Sequence, residues 1–144
     1  MRALFDTSIL VAALVRSHQR HADALPWLVR AQRGEVELVL AAHTLAELHA
    51  TLTALPVKPR ISPETAERLR EDNLPETTEI VALTVDDYHA VLRTLVERGL
   101  SGGVVYDALI ARVAKNARVD RLVTLNGRHF QRAWPEGLER IISP

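Results

Sequence analysis

Short apolar runs alternate with helical segments along most of this 144-residue chain. The runs at residues 2–5, 37–41, 79–83 and 121–125 have the length and composition of buried strands. Between them lie segments with helical periodicity. This alternation is typical of an α/β domain with a mostly parallel sheet. We therefore expect four strands, and a fifth at the edge of the sheet from residues 139–142.

Several helix boundaries are marked by residues that satisfy free backbone N–H groups. Asp6 is a good N-cap for the helical run that follows the first strand. Ser62-Pro63 combines a cap with proline at the first helical position. Thr84 and Asp87 have the spacing of a capping box. Pro26 lies inside the second helical segment, so this helix either kinks or begins later than its pattern suggests.

The length and composition fit one globular domain that spans residues 1–144. Hydrophobic residues make up 47% of the chain and charged residues 25%, which is the balance of a soluble protein. The absence of Cys excludes disulfides, thiolate zinc sites and cysteine nucleophiles. No signal peptide is recognisable, and no apolar run approaches the ~20 residues of a membrane span. We expect a cytoplasmic protein with no membrane partner.

The charge balance does not predict a nucleic-acid binder by itself. The formal net charge is zero, although the basic residues are 16 Arg against 2 Lys. Arginine offers a planar fork that suits phosphate. Because the arginines are spread along the whole chain, coding bias is the simpler explanation of their number.

Three acids lie in stretches that otherwise have the composition of a core: Asp6 in FDTSILVAAL, Glu47 in TLAELHATL and Asp107 in VVYDALIARV. A carboxylate removed from water without a partner is costly, so it shifts its pKa or acquires a counter-charge. In parallel sheets, ligands bind beyond the carboxyl ends of the strands. The predicted elements bring these acids, and Asn126 after the fourth strand, to that edge.

A divalent cation is the simplest shared counter-charge for three such acids. Oxygen ligands suit Mg²⁺ and also Mn²⁺, and such ions support phosphodiester hydrolysis. Each acid also has a purely structural explanation. Asp6 can serve only as an N-cap, Glu47 as a solvated helix residue, and Asp107 as a first-turn acid favoured by the helix dipole.

Four motifs resemble the PIN-domain family, and within it the VapC-type toxins of toxin–antitoxin pairs. They are FDTSILVAAL, HTLAELHATL, YDALIARVAKNARVD and LVTLNGRHFQRAWP, in the order and spacing of the family. The resemblance spans essentially the whole chain. A single DTS would be a weak signal, whereas four motifs in order are fairly specific.

The resemblance implies a three-layer α/β/α fold and a Mg²⁺- or Mn²⁺-dependent endoribonuclease. It assigns catalysis and metal binding to Asp6, Glu47 and Asp107, with Glu47 acting directly or through water. The family's fourth acidic position falls on Asn126. This residue keeps an oxygen ligand but loses the charge, so we expect weaker metal binding there and at best one well-bound ion without substrate.

Other residues are assigned supporting roles around these four. Thr7 or Ser8 is expected to assist Asp6, and Thr124 to orient the loop of Asn126. Contacts to the RNA backbone are expected from polar and basic residues near the acids, namely Thr7, Arg112, Lys115, Arg128 and His129.

The resemblance also implies protein partners, namely a second copy of the chain in a homodimer and a VapB-type antitoxin whose tail occupies the acidic cleft. An arginine from such a tail would pair well with the carboxylates. Leucines of the first two helices are either part of these surfaces or ordinary core, namely Leu10, Leu14, Leu25 and Leu28.

Several alternative functions remain open at this point. The chain can be a housekeeping PIN nuclease in RNA maturation, or a catalytically weak PIN module that binds RNA or protein. A metal-dependent phosphatase on another α/β fold is less favoured. A helical zinc pair is disfavoured because His43 and His49 are six residues apart rather than four. The aromatic residues are too scattered in sequence to predict a base-stacking platform, and core or interface packing is the simpler expectation.

Overall fold

Five short strands form one sheet in the computed structural model, which describes all of residues 1–144. The strands are β1 (Arg2–Phe5), β2 (Glu37–Ala41), β3 (Glu79–Val81), β4 (Arg121–Val123) and β5 (Ile141–Ile142). Their order in the sheet is β3-β2-β1-β4-β5, and every neighbouring pair is parallel. The predicted α/β class is confirmed, and the sheet is wholly parallel.

Seven α-helices and one 3₁₀ helix connect or follow these strands. They are α1 (Thr7–Leu14), α2 (His21–Gln32), α3 (Ala42–Ala54), α4 (Pro63–Asn73), α5 (Val85–Arg98), α6 (Val104–Asn116), α7 (Gly127–Ala133) and the 3₁₀ helix (Pro135–Arg140). Helix α2 begins at His21, three residues later than the predicted segment, and Pro26 still lies inside it. Strands β3 and β4 each end two residues before the predicted boundary.

Alternate residues of the central strand belong to two different hydrophobic cores. Ala3 and Phe5 pack with residues of α1, α2, α3 and α4. Leu4 packs on the opposite face with residues of α6 and α7. Because successive strand residues point to opposite faces, helices cover both faces of the sheet. The three-layer α/β/α prediction is therefore confirmed. Each fully buried large side chain contributes about 1.5–3 kcal/mol of transfer free energy.

The predicted caps form, and they fix where two helices begin. The Ser62 hydroxyl accepts a hydrogen bond from the Thr65 N–H at the start of α4. Thr84 and Asp87 make both hydrogen bonds of a capping box at the start of α5. Helix α5 ends at Gly99, whose φ of +63° is left-handed and suits glycine.

Two of the leucines considered for partner surfaces are core residues. Leu10 and Leu28 are at most 2% exposed, whereas Leu25 in α2 is on the surface. None of the helices combines the length and the hydropathy that a membrane span requires.

The sheet order creates a crevice where the chain reverses its direction of travel across the sheet. From β1 the chain moves to β2 and then β3, and it later returns on the other side of β1 to form β4. Such a switch point opens a crevice beyond the carboxyl ends of the two central strands. Residues that directly follow β1 and β4 therefore lie at this crevice.

Candidate active site

Asp6 directly follows β1 and is the N-cap of α1. One carboxylate oxygen accepts a hydrogen bond from the Thr7 N–H at 2.7 Å. The other oxygen accepts bonds from the Ser8 hydroxyl at 3.1 Å and from the Thr124 hydroxyl at 2.7 Å. All three donors are uncharged, so they orient the carboxylate without neutralising it. Each oxygen has two acceptor sites, and Asp6 therefore retains capacity for a further ligand.

Thr124 and Ser8 connect the ends of β1 and β4. Thr124 is fully buried, and besides donating to Asp6 it accepts a hydrogen bond from the Asn126 N–H at 3.0 Å. The Ser8 hydroxyl accepts from the Leu125 N–H at 2.9 Å. These bonds hold the loop after β4 against Asp6. The predicted roles of Ser8 beside Asp6 and of Thr124 in the Asn126 loop agree with this geometry.

Asp107 is a partly buried carboxylate in α6 that makes no hydrogen bond and no ion pair. Burial raises its pKa, and the nearby charges of Asp6 and Glu47 raise it further, whereas His129 lowers it. The electrostatic effect shows that these four side chains share one neighbourhood, although they come from four separate segments. The structure therefore brings the three predicted acids together, and Asp107 is the one that lacks a partner.

Glu47 lies on the exposed side of the cluster, in the second turn of α3. Its carboxylate lies 3.6 Å from the Nε2 atom of His43, one helical turn earlier. Both side chains are about half exposed, so the pair is weak and easily rearranged. No other polar contact holds the Glu47 carboxylate.

Asn126 lies beside a surface groove next to the acids. Its side chain makes no hydrogen bond, and it lines this groove together with Arg128 and His129. All three residues are exposed or close to the surface. The groove therefore offers an amide and two basic side chains at the edge of the cluster. Their expected contact with RNA stays a prediction.

Thr7 is not available for the contact with RNA that we expected. Its side chain is only 4% exposed, and its hydroxyl is buried without a hydrogen-bond partner. In α1 the side chain at position 7 turns into the protein, whereas that of Ser8 turns toward Asp6. Thr7 therefore assists Asp6 only through its backbone N–H, and the prediction for its side chain is wrong.

Arg112 and Lys115 lie on a different side of α6 from Asp107. The Arg112 side chain donates to Asp87 of α5 at 2.8 Å. The pKa of that carboxyl is lowered first by the Thr84 N–H bond and then by Arg112. Both basic residues line a cavity between α5, α6 and α7. Neither acts electrostatically on Asp107, so the structure does not place them with the acids.

The residues of the cluster fit a hard divalent cation in chemistry and charge. The carboxylates of Asp6 and Glu47 act on the charge of Asp107, and no Lys or Arg side chain does. No three acidic or histidine side chains are close enough to form a ready-made metal cage. An ion that keeps several of its own waters, as Mg²⁺ does, does not need direct bonds to all three.

A family model and several known proteins match this chain. The model described as "PIN domain" matches residues 3–134. The chain belongs to the PIN-domain family. Among curated relatives of this PIN domain is Ribonuclease VapC27 of Mycobacterium tuberculosis, 33% identical over 85% of this chain and 83% of the relative. Ribonuclease VapC40 of the same organism is 35% identical over 78% of each chain.

Solved structures share the fold of this PIN domain at lower sequence identity. VapC20 of Mycobacterium tuberculosis, described as a Sarcin-Ricin loop cleaving toxin, superposes with a TM-score of 0.69 at 16% identity. The match covers 88% of this chain and 92% of that one. VapBC2 from Rickettsia felis, solved with a DNA fragment from their promoter, gives a TM-score of 0.64 at 23% identity, with coverage of 93% and 94%.

One contact at the site has no counterpart in the sequence predictions. The rings of His43 and Tyr106 lie nearly parallel, with centroids 6.3 Å apart, and His43 also approaches Glu47. The i, i+4 spacing of His43 and Glu47 was visible in the sequence. Tyr106 lies 63 positions from His43 in the sequence, and only the tertiary structure brings the two rings together.

Proposed function

We propose that this chain is a metal-dependent endoribonuclease and the toxin of a VapBC-type toxin–antitoxin pair. The relatives at 33% and 35% identity are ribonucleases by name, and the chain covers most of their length. The observation that carries the proposal is Asp107, a partly buried carboxylate with no hydrogen bond that faces two further acids. A divalent cation would compensate the charge of this group, and Asp6 and Asp107 would hold it where a phosphodiester can approach.

Each residue of the cluster has a role in this proposal. Asp6 and Asp107 are the principal cation ligands, and Glu47 completes the set directly or through water. A bound Mg²⁺ or Mn²⁺ supplies the chemistry that lowers the pKa of a bound water and stabilises the charge at phosphorus. Asn126 adds a neutral oxygen beside them.

The remaining residues position the substrate and the acids. Thr124 and Ser8 fix the orientation of Asp6, which reduces the rearrangement that ligand binding would otherwise require. Arg128 and His129 lie in the groove that adjoins the acids, where their side chains can hold the RNA backbone on either side of the bond to be cut.

Removal of divalent metal is expected to abolish cleavage of RNA by the purified protein. With Mg²⁺ or Mn²⁺ present, denaturing gels of structured RNA should show discrete products, and EDTA should eliminate them because three uncompensated carboxylates repel phosphate. Excess Mg²⁺ added after EDTA should restore cleavage. Cleavage that persists at full rate in EDTA would contradict the proposal. Titration calorimetry of the protein with Mn²⁺ provides a second measurement that does not depend on activity.

Asn126→Asp is the matched variant for this experiment, because it adds a carboxylate at the one neutral position of the set. We expect it to tighten Mn²⁺ binding about tenfold, since affinity for hard cations rises with ligand charge. If the wild-type protein is inactive and the variant cleaves RNA, the chain is instead a catalytically weak PIN module.

We also propose an antitoxin partner for this chain. Structures with the same fold include a toxin–antitoxin complex from Klebsiella pneumoniae and the VapBC2 complex. The excess negative charge of Asp6, Glu47 and Asp107 suits an arginine-bearing tail, which would occupy the cleft without metal. Co-purification with the product of an adjacent short reading frame, and inhibition of cleavage by it, tests this proposal and distinguishes a toxin from a housekeeping nuclease.

The expected homodimer has a candidate surface on α5. Four apolar side chains are exposed along one side of this helix, namely Val85, Tyr88, Leu92 and Val96. Asp86 and Arg93 lie two turns apart on one flank of this stripe, and neither forms an ion pair within the chain. In an antiparallel pair of α5 helices related by a two-fold axis, Asp86 of one copy meets Arg93 of the other.

Substitution on this surface is expected to separate the dimer. Leu92→Glu should convert a dimer of wild-type protein to a monomer in light scattering after size exclusion, because it buries a charge in the apolar stripe. The single variant Arg93→Asp should weaken the dimer, and Asp86→Arg combined with Arg93→Asp should restore it. A dimer that Leu92→Glu leaves intact would place the interface elsewhere.

A further inference from the structure

Two exposed rings lie in parallel at the edge of the carboxylate cluster. The ring centroids of His43 and Tyr106 are 6.3 Å apart, and the ring planes differ by 9°. Tyr106 is 61% exposed, and His43 is also more than half exposed. Other large aromatic side chains of this chain, among them Phe5, Phe130 and Trp134, are buried. Because Tyr106 and His43 are both exposed, aromatic surface of this pair is open to solvent.

The position of the two rings links them to the acids. Tyr106 directly precedes Asp107 in α6. His43 lies one turn before Glu47 in α3 and approaches its carboxylate to 3.6 Å. His43 thus lies against Glu47, and Tyr106 is the chain neighbour of Asp107. A phosphate held at the acids would place the adjoining nucleotide of the polymer on the side of this ring pair.

We propose that Tyr106 and His43 form a stacking platform for one base of single-stranded RNA next to the phosphate that is cut. The proposal rests on the proposed ribonuclease function and adds the state of the substrate that the site accepts. A base in single-stranded RNA exposes a flat face that stacks on aromatic side chains. A base within a duplex is already stacked on its neighbours, so duplex RNA cannot use the platform without unpairing.

The chemistry of the platform predicts tolerance of base identity. Stacking acts through the face of the base, which every base has, rather than through its hydrogen-bonding edge. The two rings therefore select for an unpaired nucleotide and not for a particular base. Tyr106 contacts the substrate directly, and its contribution falls on substrate binding.

Kinetics on a short single-stranded RNA tests the platform. Tyr106→Leu, which keeps apolar bulk but removes the ring, should raise KM about tenfold, the size of one lost base–aromatic stack, with the effect on KM rather than kcat. Tyr106→Phe should restore the wild-type KM to within about threefold. Leu25→Ala, at an exposed apolar position of α2, is the control and should not change KM.

A second substrate separates stacking from a disturbance of Asp107. RNA with an abasic nucleotide beside the cut should raise the KM of the wild-type protein about tenfold, and should not raise that of Tyr106→Leu further. If Tyr106→Leu lowers kcat and still responds fully to the abasic position, the ring acts through Asp107 and the proposal is overturned. An unchanged KM with weaker binding of a protein partner would also overturn it, and would assign the rings to that partner.

Fluorescence keeps this test independent of cleavage. RNA that carries 2-aminopurine next to the cut should be quenched on binding by wild-type protein in EDTA-free Ca²⁺ buffer, and Tyr106→Leu should lose this quenching. Quenching without any cleavage in Mg²⁺ or Mn²⁺ would support the platform and contradict the ribonuclease proposal. Cleavage without quenching would support the ribonuclease proposal and contradict the platform.

Discussion

Asp107→Asn is expected to abolish RNA cleavage while making the protein more resistant to heat. The activity is lost because the amide no longer supplies the charge that holds a cation beside Asp6. A loss of about 4 kcal/mol of charge stabilisation in the transition state corresponds to about a thousandfold in kcat/KM. Initial rates on a defined RNA with saturating Mg²⁺ measure this change. Asp72→Asn, at an exposed acid of α4 without an ion pair, is the matched control and should keep wild-type activity.

The gain in stability follows from the direction of the Asp107 pKa. Burial and the charges of Asp6 and Glu47 raise the pKa of this carboxyl in the folded protein. The ionised group at neutral pH therefore costs the folded state free energy relative to the unfolded chain. This cost disappears as the pH falls through the folded pKa, and Asn removes it at every pH. Thermal unfolding in EDTA at pH 7 should show a higher Tm for Asp107→Asn than for wild type.

The two measurements together separate function from structure. A purely structural first-turn acid would be favoured by the dipole of α6, so its replacement by Asn would lower Tm and leave activity intact. If Asp107 belongs to the active site, the Asn variant should instead have a higher Tm and should lose cleavage. Stability sacrificed at a catalytic position is a common compromise between stability and activity. A lower Tm with normal cleavage would therefore remove Asp107 from the active site.

Much of the fold was predictable because local signals agreed with the tertiary structure. The capping box at Thr84 and the cap at Ser62 set helix starts through short-range hydrogen bonds, which sequence spacing reveals directly. The ends of β3 and β4 were placed too late, because apolar composition continues beyond the last strand residue. At β4 the chain turns at Thr124, whose hydroxyl accepts the Asn126 N–H. The same hydroxyl donates a hydrogen bond to Asp6, which lies 118 positions away in the sequence.

The acids of the candidate site were predictable because charged residues stand out in otherwise apolar stretches. Asp6, Glu47 and Asp107 stood out for this reason, and the electrostatics of Asp107 places them in one neighbourhood. Predictions about single side chains failed where partners came from other elements. Arg112 is paired with Asp87 on α5, which is a contact between two helices. The orientation of Thr7 depends on helix phase, because the adjacent residue Ser8 is the one that faces Asp6.

Thr124→Val is expected to lower both stability and activity. Valine has nearly the shape of threonine but no hydroxyl, so the Asn126 N–H and one oxygen of Asp6 lose a partner in a buried setting. Leaving such groups unsatisfied costs about 1–3 kcal/mol, which lowers Tm by about 5 °C for a chain of this size. Because Thr124 orients Asp6, kcat should fall about 10- to 100-fold, and the KM for RNA should change little. Thr124→Ser keeps the hydroxyl and should recover most of the lost activity.

Thr44→Val is the control, because it makes the same substitution at another buried threonine. Thr44 is also fully buried, but its hydroxyl has no hydrogen-bond partner. Removing that hydroxyl leaves no other group without a hydrogen-bond partner, and it eliminates one unsatisfied buried polar group. The variant should therefore be as stable as wild type or more stable. Its cleavage rate should be unchanged. The contrast between two buried threonines measures what the contacts of Thr124 with Asp6 and Asn126 contribute. Equal effects of the two substitutions would show that the hydroxyl of Thr124 does not orient the active site.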